Sequence, residues 1–260
     1  MKTLLRRFLS PALRRFNVSV TSTTTLERLR SFEAEVEGLV ARSSPERLRA
    51  IAEALPGSKA QLRQDVFALC AAGFKRDGFF VEFGATDGVT LSNTHLLESQ
   101  YGWSGILAEP AHKWHDALRT NRTATIETDC VYSRTGERLD FREAAVGELS
   151  SLQSFADGAG DNHGSARRQG RTYEVTTVSL LDLLERHGAP RVIDYMSVDT
   201  EGSEYEILSA FDFARYDVRC LTIEHNYTRT RRQVADLLLP LGYERVFTGL
   251  SKWDDWYVKR

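Results

Sequence analysis

The chain is poor in cysteine and close to neutral. Cys70, Cys130 and Cys220 are its only cysteines, far apart and without metal-ligand spacing. So odd and sparse a set argues against a disulfide framework and for a reducing compartment. A formal net charge of -2 over 260 residues excludes a nucleic-acid binder driven by bulk charge. No apolar run approaches the roughly 20 residues needed to cross a bilayer. There is no internal repeat and no G-x-G-x-x-G dinucleotide fingerprint. What is present is a chain that is 42% hydrophobic, enough for a substantial single-domain α/β core.

The first segment, MKTLLRRFLSPALRRFNVSV, makes a poor secretion signal because Arg6, Arg7, Arg14 and Arg15 break its apolar stretches. Residues 1–16 could form a basic amphipathic helix on an anionic membrane surface. Pro11 interrupts that pattern and favours an N-terminal arm over residues 1–25. Residues 26–76 read as helices that cap the remainder of the chain. Within them SSPE starts a helix, with Ser44 as cap and Pro45 in the first turn.

From residue 77 to 260 strands and helices alternate. FFVEF (79–83), GILAEP (105–110), ATIETDCVYS (124–133), RVIDYMSVDTEG (191–202) and VRCLTIEHN (218–226) read as strands with helices between them. YERVF and DDWYVKR read as a closing antiparallel pair. This order predicts a mostly parallel sheet covered on both faces, with ligands bound beyond the carboxyl ends of the strands. The polar, glycine-rich stretch 147–172 is either a lid or binding loop, or a surface insertion. Its Arg167, Arg168 and Arg171, near His163, could clamp an anionic group.

The stretch after the first strand is Glu82-Phe83-Gly84-Ala85-Thr86-Asp87-Gly88. Asp87 would repel a pyrophosphate, whereas S-adenosylmethionine carries a sulfonium and an ammonium that acids favour. Glycine lets the backbone approach such a ligand. The second strand ends in Glu109, placed to accept the ribose hydroxyls. The third ends near Asp129, placed to accept from an adenine amino group, with Cys130 beside the ring.

FFVEFGATDGVTLSNTHLLESQYGWSGILAEP together with VTTVSLLDLLERHGAPRVIDYMSVDTEGSEYEIL strongly resembles the FkbM-type methyltransferases. The resemblance runs from about residue 78 to the C-terminus. It implies a Rossmann-like class I methyltransferase fold with strand order 3-2-1-4-5-7-6. It also implies S-adenosylmethionine as cofactor and O-methylation of a sugar or polyketide hydroxyl. The cofactor residues it implies are Glu82, Gly84, Asp87, Gly88 and Glu109, with Ala85 and Asn93 in the same motif. Thr200 stands where an apolar residue is more usual and leaves the acids untouched.

A sugar hydroxyl is a weak acid, so transfer needs a base or a metal. Asp199, followed by Glu201 and Glu204, ends the fourth strand, and Glu224-His225-Asn226 ends the fifth. The arrangement is similar to catechol O-methyltransferase and its relatives, which implies magnesium on Asp199, Glu224 and Asn226. His225 is then the expected base or its orienter, and without a metal still the best base. Asp199 and Glu201 are the other catalytic candidates. Trp253 and Trp256 either stack on a sugar or pack in the core. The expected acceptor is a sugar or glycan, and the expected location is cytoplasmic or at the inner membrane face. A nicotinamide-dependent oxidoreductase and a non-catalytic domain of the same fold remain as rival readings.

Overall fold

The computed structural model describes residues 23–145, 149–156 and 170–260. The arm over residues 1–16, His163, Arg167, Arg168 and much of the 147–172 loop lie outside the described residues. The chain divides into two compact units, residues 1–43 and 44–260. Within the first, α1 (Thr23–Arg42) is one helix of 20 residues. No described helix is long and apolar enough to cross a membrane.

The second unit opens with α2 (Pro45–Ala54), where the Ser44 side chain accepts from the Arg47 amide. Of the helices expected over 26–76, the one in SKAQLRQDVFALCAAG (58–73) is shorter, α3 (Gln64–Ala71). Asp65 captures the residues before it, accepting from the Ser58 hydroxyl at 2.6 Å and the Lys59 amide at 3.2 Å. Gln64 accepts from the Leu62 amide at 2.8 Å, and Arg63 adopts φ 68. Side chains that bond backbone locally compete with helix in this way.

The remaining elements alternate. β1 (Phe79–Phe83), α4 (His95–Tyr101), β2 (Ser104–Ala108), α5 (His115–Asn121), β3 (Thr125–Glu127), β4 (Cys130–Tyr132) and β5 (Arg138–Ala144) come first. β6 (Ser151–Leu152), α6 (Gln153–Ala156), β7 (Gly170–Ser179), α7 (Leu180–Arg186), β8 (Val192–Ile193), β9 (Tyr195–Val198) and α8 (Glu204–Ser209) come next. β10 (Asp217–Val218), β11 (Cys220–Glu224), α9 (Thr230–Leu238), β12 (Tyr243–Val246) and β13 (Asp254–Lys259) complete the chain. A seven-stranded sheet has the order β12-β13-β11-β9-β1-β2-β3. Numbered by their succession in the chain, these strands run 3-2-1-4-5-7-6 from the β3 edge. The sheet is mixed: β3, β2, β1, β9 and β11 pair in parallel, while β13 runs antiparallel between β11 and β12.

The strand expected over 124–133 is two strands in two sheets. Glu127 Oε1 accepts from the amides of both Thr128 and Asp129 at 2.9 Å, bending the chain there. Beyond the bend, β4 pairs with β7 in a second sheet of order β4-β7-β5-β6. Part of the 147–172 stretch is thus regular structure, β6 and α6.

Alternation along the central strands builds two cores. Val81, Phe83, Ile106, Met196 and Ile223 face one side, with Leu183, Ile207 and Leu238 from α7, α8 and α9. Phe80, Leu107 and Tyr195 face the other, with Phe67, Leu96, Leu97 and Leu118 from α3, α4 and α5. Phe67 stacks on Trp256 with ring centroids 4.6 Å apart, so Trp256 belongs to the core. Leu238 is fully buried on α9. Leu238→Ala is expected to lower the unfolding free energy by roughly 2–5 kcal/mol in denaturant titration. An unchanged midpoint would mean that α9 does not pack on this face.

Candidate active site

A cavity of about 530 Å³ opens at the carboxyl ends of β1, β2, β9 and β11. Chain leaving each strand lines it: Gly84 after β1, Glu109 after β2, Asp199 and Glu201 after β9, and Asn226 after β11, where Glu224 is the last strand residue. Cys130, Val131, Phe141 and Leu152 form an apolar wall from the second sheet. Gln61 and Gln64 come from the segment entering α3. Six acids line the cavity, and no Lys, Arg or His does among the described residues.

Backbone strain concentrates here. Ten described non-glycine residues have positive φ, and Thr86, Leu91, Glu201, Asn226 and Tyr227 line this cavity. Such conformations persist where surrounding structure imposes them, as at ligand sites. Gly84, at φ 73, could not be another residue, since an added Cβ would lie 2.3 Å from the Asp199 carbonyl oxygen.

Glu109 is buried at 4% exposure, with its carboxylate held from both sides. Oε2 accepts from the Thr86 amide and Oε1 from the Ala111 amide, each at 2.8 Å. Burial pushes its pKa up to about 7, against these two bonds. Glu82 borders the cavity, yet its oxygens accept from the Asn93 amide at 2.6 Å and from the hydroxyls of Ser92 and Thr94. Asn93 lines the cavity. Its Nδ2 donates to Ser197 at 2.9 Å, and its buried Oδ1 has no hydrogen-bond partner among the described residues.

Several expected cofactor residues stand outside the lining. Asp87 closes the turn, its Oδ1 accepting from the amides of Val89 and Thr90 at 2.8 and 2.7 Å. Burial raises its pKa, but these bonds and the Thr90 hydroxyl outweigh it and hold the carboxyl low. At Gly88 an added Cβ would lie 2.6 Å from Arg122 Cγ, so glycine there serves packing. Ala85 is buried in the core. Asp129 pairs with Arg186 at 2.9 Å. Cys130 does line the cavity, its thiol pushed up to about 12 by burial.

Carboxylate oxygens of Asp199, Glu201 and Glu224 lie within 4.8 Å of one another. Burial first, then neighbouring acids, hold Asp199 and Glu224 well above the usual carboxylate range. Glu204 lies behind them, accepting from the Thr200 and Gly202 amides at 3.0 and 2.9 Å.

His225 does not join this group. Side chains alternate at the end of a strand, so Glu224 and Asn226 reach the cavity while His225 points to the other face. There Nδ1 accepts from the Tyr227 amide at 2.9 Å, and Nε2 lies 3.7 Å from Asp255. Burial pushes its pKa down to about 4. Asp254 and Gln64 were not among the expected site residues. Asp254 sits opposite Glu224 across the β11–β13 ladder and accepts from Gln64 Nε2 at 2.7 Å. The signal was an acid at the start of an antiparallel strand, legible only once its register with β11 is known. Trp253 lines the mouth with Tyr227, which is 58% exposed. His95, His112 and His115 stay off the lining, and Arg171 pairs with Glu143 at 3.7 Å.

Residues 82–254 match the family described as Methyltransferase FkbM domain. No curated protein matches the chain in sequence. Among solved structures, a precorrin-6y C5,15-methyltransferase from Geobacter metallireducens GS-15 is similar at 12% identity and TM-score 0.40, over 75% of this chain and 85% of that one. An uncharacterised ACR, COG1565 superfamily protein from Burkholderia thailandensis is similar at 10% identity and TM-score 0.27, over 94% and 75%. Likenesses this distant carry no weight for function.

Burial raises Asp254 to about 6 and Glu109 to about 7. Acids raised on folding stabilise the folded state below their unfolded values, and that stability is lost as pH rises through the folded ones. From these two acids the thermal midpoint is therefore expected to fall as pH rises from about 4 to about 7, against the opposite contribution of the buried His225 imidazole. Asp254→Asn should flatten the fall by on the order of 1 kcal/mol. A midpoint that rises over this range would contradict the assignment.

Proposed function

The chain belongs to the FkbM methyltransferase family, and on that premise we propose that it methylates a hydroxyl oxygen of a sugar or glycan from S-adenosylmethionine. The observation that carries the reading is the lining: acids from each of the four strand ends, and no Lys, Arg or His among the described residues. Such a cavity suits a ligand with a sulfonium and an ammonium and disfavours a pyrophosphate. That weighs against the nicotinamide reading. The strand order 3-2-1-4-5-7-6 agrees with the class I methyltransferase fold that the sequence resemblance implies.

Glu109 would hold the ribose. Each of its oxygens accepts one backbone N–H and keeps a lone pair for a hydroxyl donor. Cys130, Val131, Phe141 and Leu152 offer an apolar flank to the adenine. The bound cofactor supplies an electrophilic methyl with a good leaving group. Asp199 and Glu224 then act as a pair. Held close, they share one proton, which leaves one carboxylate to take the proton of the acceptor hydroxyl. Tyr227 and Trp253 present rings at the mouth, where a sugar can stack.

A metal-assisted reading is favoured by the spacing of Asp199, Glu201 and Glu224. Their hard oxygens, with Asn226 in the same cavity, fit magnesium. The ion would supply Lewis acidity toward the acceptor oxygen.

Calorimetric titration with S-adenosylhomocysteine tests the cofactor. Wild-type protein should bind, and Glu109→Ala should weaken binding at least about tenfold, or ~1.4 kcal/mol. No binding by wild-type protein, with or without magnesium, would falsify the methyl-transfer reading. Glu224→Gln should bind the cofactor normally but lose about 10²–10⁴ in turnover on a panel of sugar acceptors. Full activity of that variant would remove the acid pair from the chemistry, and a non-catalytic domain would show no turnover at all. Magnesium heat in wild-type protein, absent in Asp199→Asn, would select the metal-assisted form.

A further inference from the structure

We propose that Arg122, which lies outside the cavity, is a positioning residue of the cofactor site. The inference rests on the methyl-transfer reading above. The turn from Gly84 to Asn93 supplies much of the cavity wall, including Thr86, Thr90, Leu91 and Ser92. Arg122 holds that wall from behind.

The residue comes directly after α5, and its side chain is 1% exposed. Nη1 donates to the Gly88 carbonyl at 2.9 Å and to Ser92 Oγ at 3.2 Å. Nη2 donates to Thr94 Oγ1 at 2.9 Å, and Nε donates to Glu98 at 2.7 Å. One guanidinium thus reaches the turn, the residues that start α4, and α4 itself. Glu82 Oε2 lies 3.8 Å from Nη1. The Thr94 hydroxyl that accepts from Arg122 in turn donates to Glu82.

This network explains two features of the motif. Glu82 carries a cavity-facing position in the sequence, but its oxygens are engaged by the turn itself, with a buried cation alongside. Its part in the site is to shape the turn. Gly88 is needed because any Cβ there would strike the Arg122 stem and Leu118. Lysine cannot take over the role. An ammonium on a flexible stem does not present the planar fork that meets separate acceptors at fixed angles. The same fork leaves Asn93, beside Thr94, with its amide engaged by Glu82 and its side chain on Ser197 near the end of β9. The position of the guanidinium therefore sets where the cavity wall stands relative to Asp199.

The test is S-adenosylhomocysteine affinity of full-length wild type, Arg122→Lys and Leu238→Ala, measured by calorimetry well below each thermal midpoint. Leu238 is a fully buried core residue that does not line the cavity and controls for general loss of stability. Arg122→Lys is expected to weaken binding at least about tenfold, since small displacements of positioning groups carry penalties of that size. Leu238→Ala should bind as wild type does. Wild-type affinity in Arg122→Lys, or equal weakening in both variants, would overturn the proposal while leaving the cofactor reading intact. Should Arg122→Lys fail to fold, Thr94→Val removes the shared hydroxyl with little change in volume. It is expected to bind severalfold more weakly, and unchanged affinity there would equally overturn the proposal. Absence of binding by wild type removes the methyl-transfer reading, and this proposal with it.

Discussion

The site depends on a contact between two stretches of backbone. Where the chain leaves β1 it comes so close to the chain leaving β9 that only glycine fits at position 84. That approach brings Glu109, held by the Thr86 amide just beyond the turn, into one cavity with the acids after β9 and β11. A side chain at 84 would force the two strand ends apart and divide Glu109 from Asp199 and Glu224. Glycine's conformational freedom also supplies the positive φ the turn requires.

Around that contact the charges are placed by the period of two along a strand. Glu224 and Asn226 reach the cavity, and His225 between them cannot. Across the ladder Asp254 faces the cavity while Asp255 joins Arg231 and Arg245 on the far side, at 2.8 and 3.1 Å. The result is two neighbouring electrostatic regions of different character. One collects carboxylates that hold protons above their usual range. The other sets an acid against two arginines and keeps a histidine neutral.

Much of this was legible in the sequence, and the failures have physical causes. The strand–helix alternation and the paired motifs located β1, β2, β9 and β11, because buried strands read as apolar runs ending in acids. Glu109, Asp199 and Glu224 stood out by their place at those ends. Asp87, Gly88 and Asp129 have the same signature, but their partners, Thr90, Arg122 and Arg186, come from the local turn or from distant helices. Composition does not reveal such pairings. His225 has the residue type of a base but the wrong parity along the strand, which turns it from the cavity that Glu224 and Asn226 line. The break between β3 and β4 falls at Glu127-Thr128-Asp129, polar residues that an alternating strand also tolerates, so it shows only in the Glu127 carboxylate, which accepts from the two following amides and bends the chain there.

The wall formed by the second sheet separates what must stay constant from what can vary. β5 and β7 are locked in register over seven residue pairs, whereas β6 joins them by only two. The short β6 segment between them, with Leu149, Ser150 and Leu152 on the cavity, can therefore change without disturbing the β5–β7 ladder that anchors it. Relatives that differ there would keep the same acid-lined floor under a remodelled wall. One wall of the cavity can drift while the acids at the parallel strand ends stay where the sheet holds them.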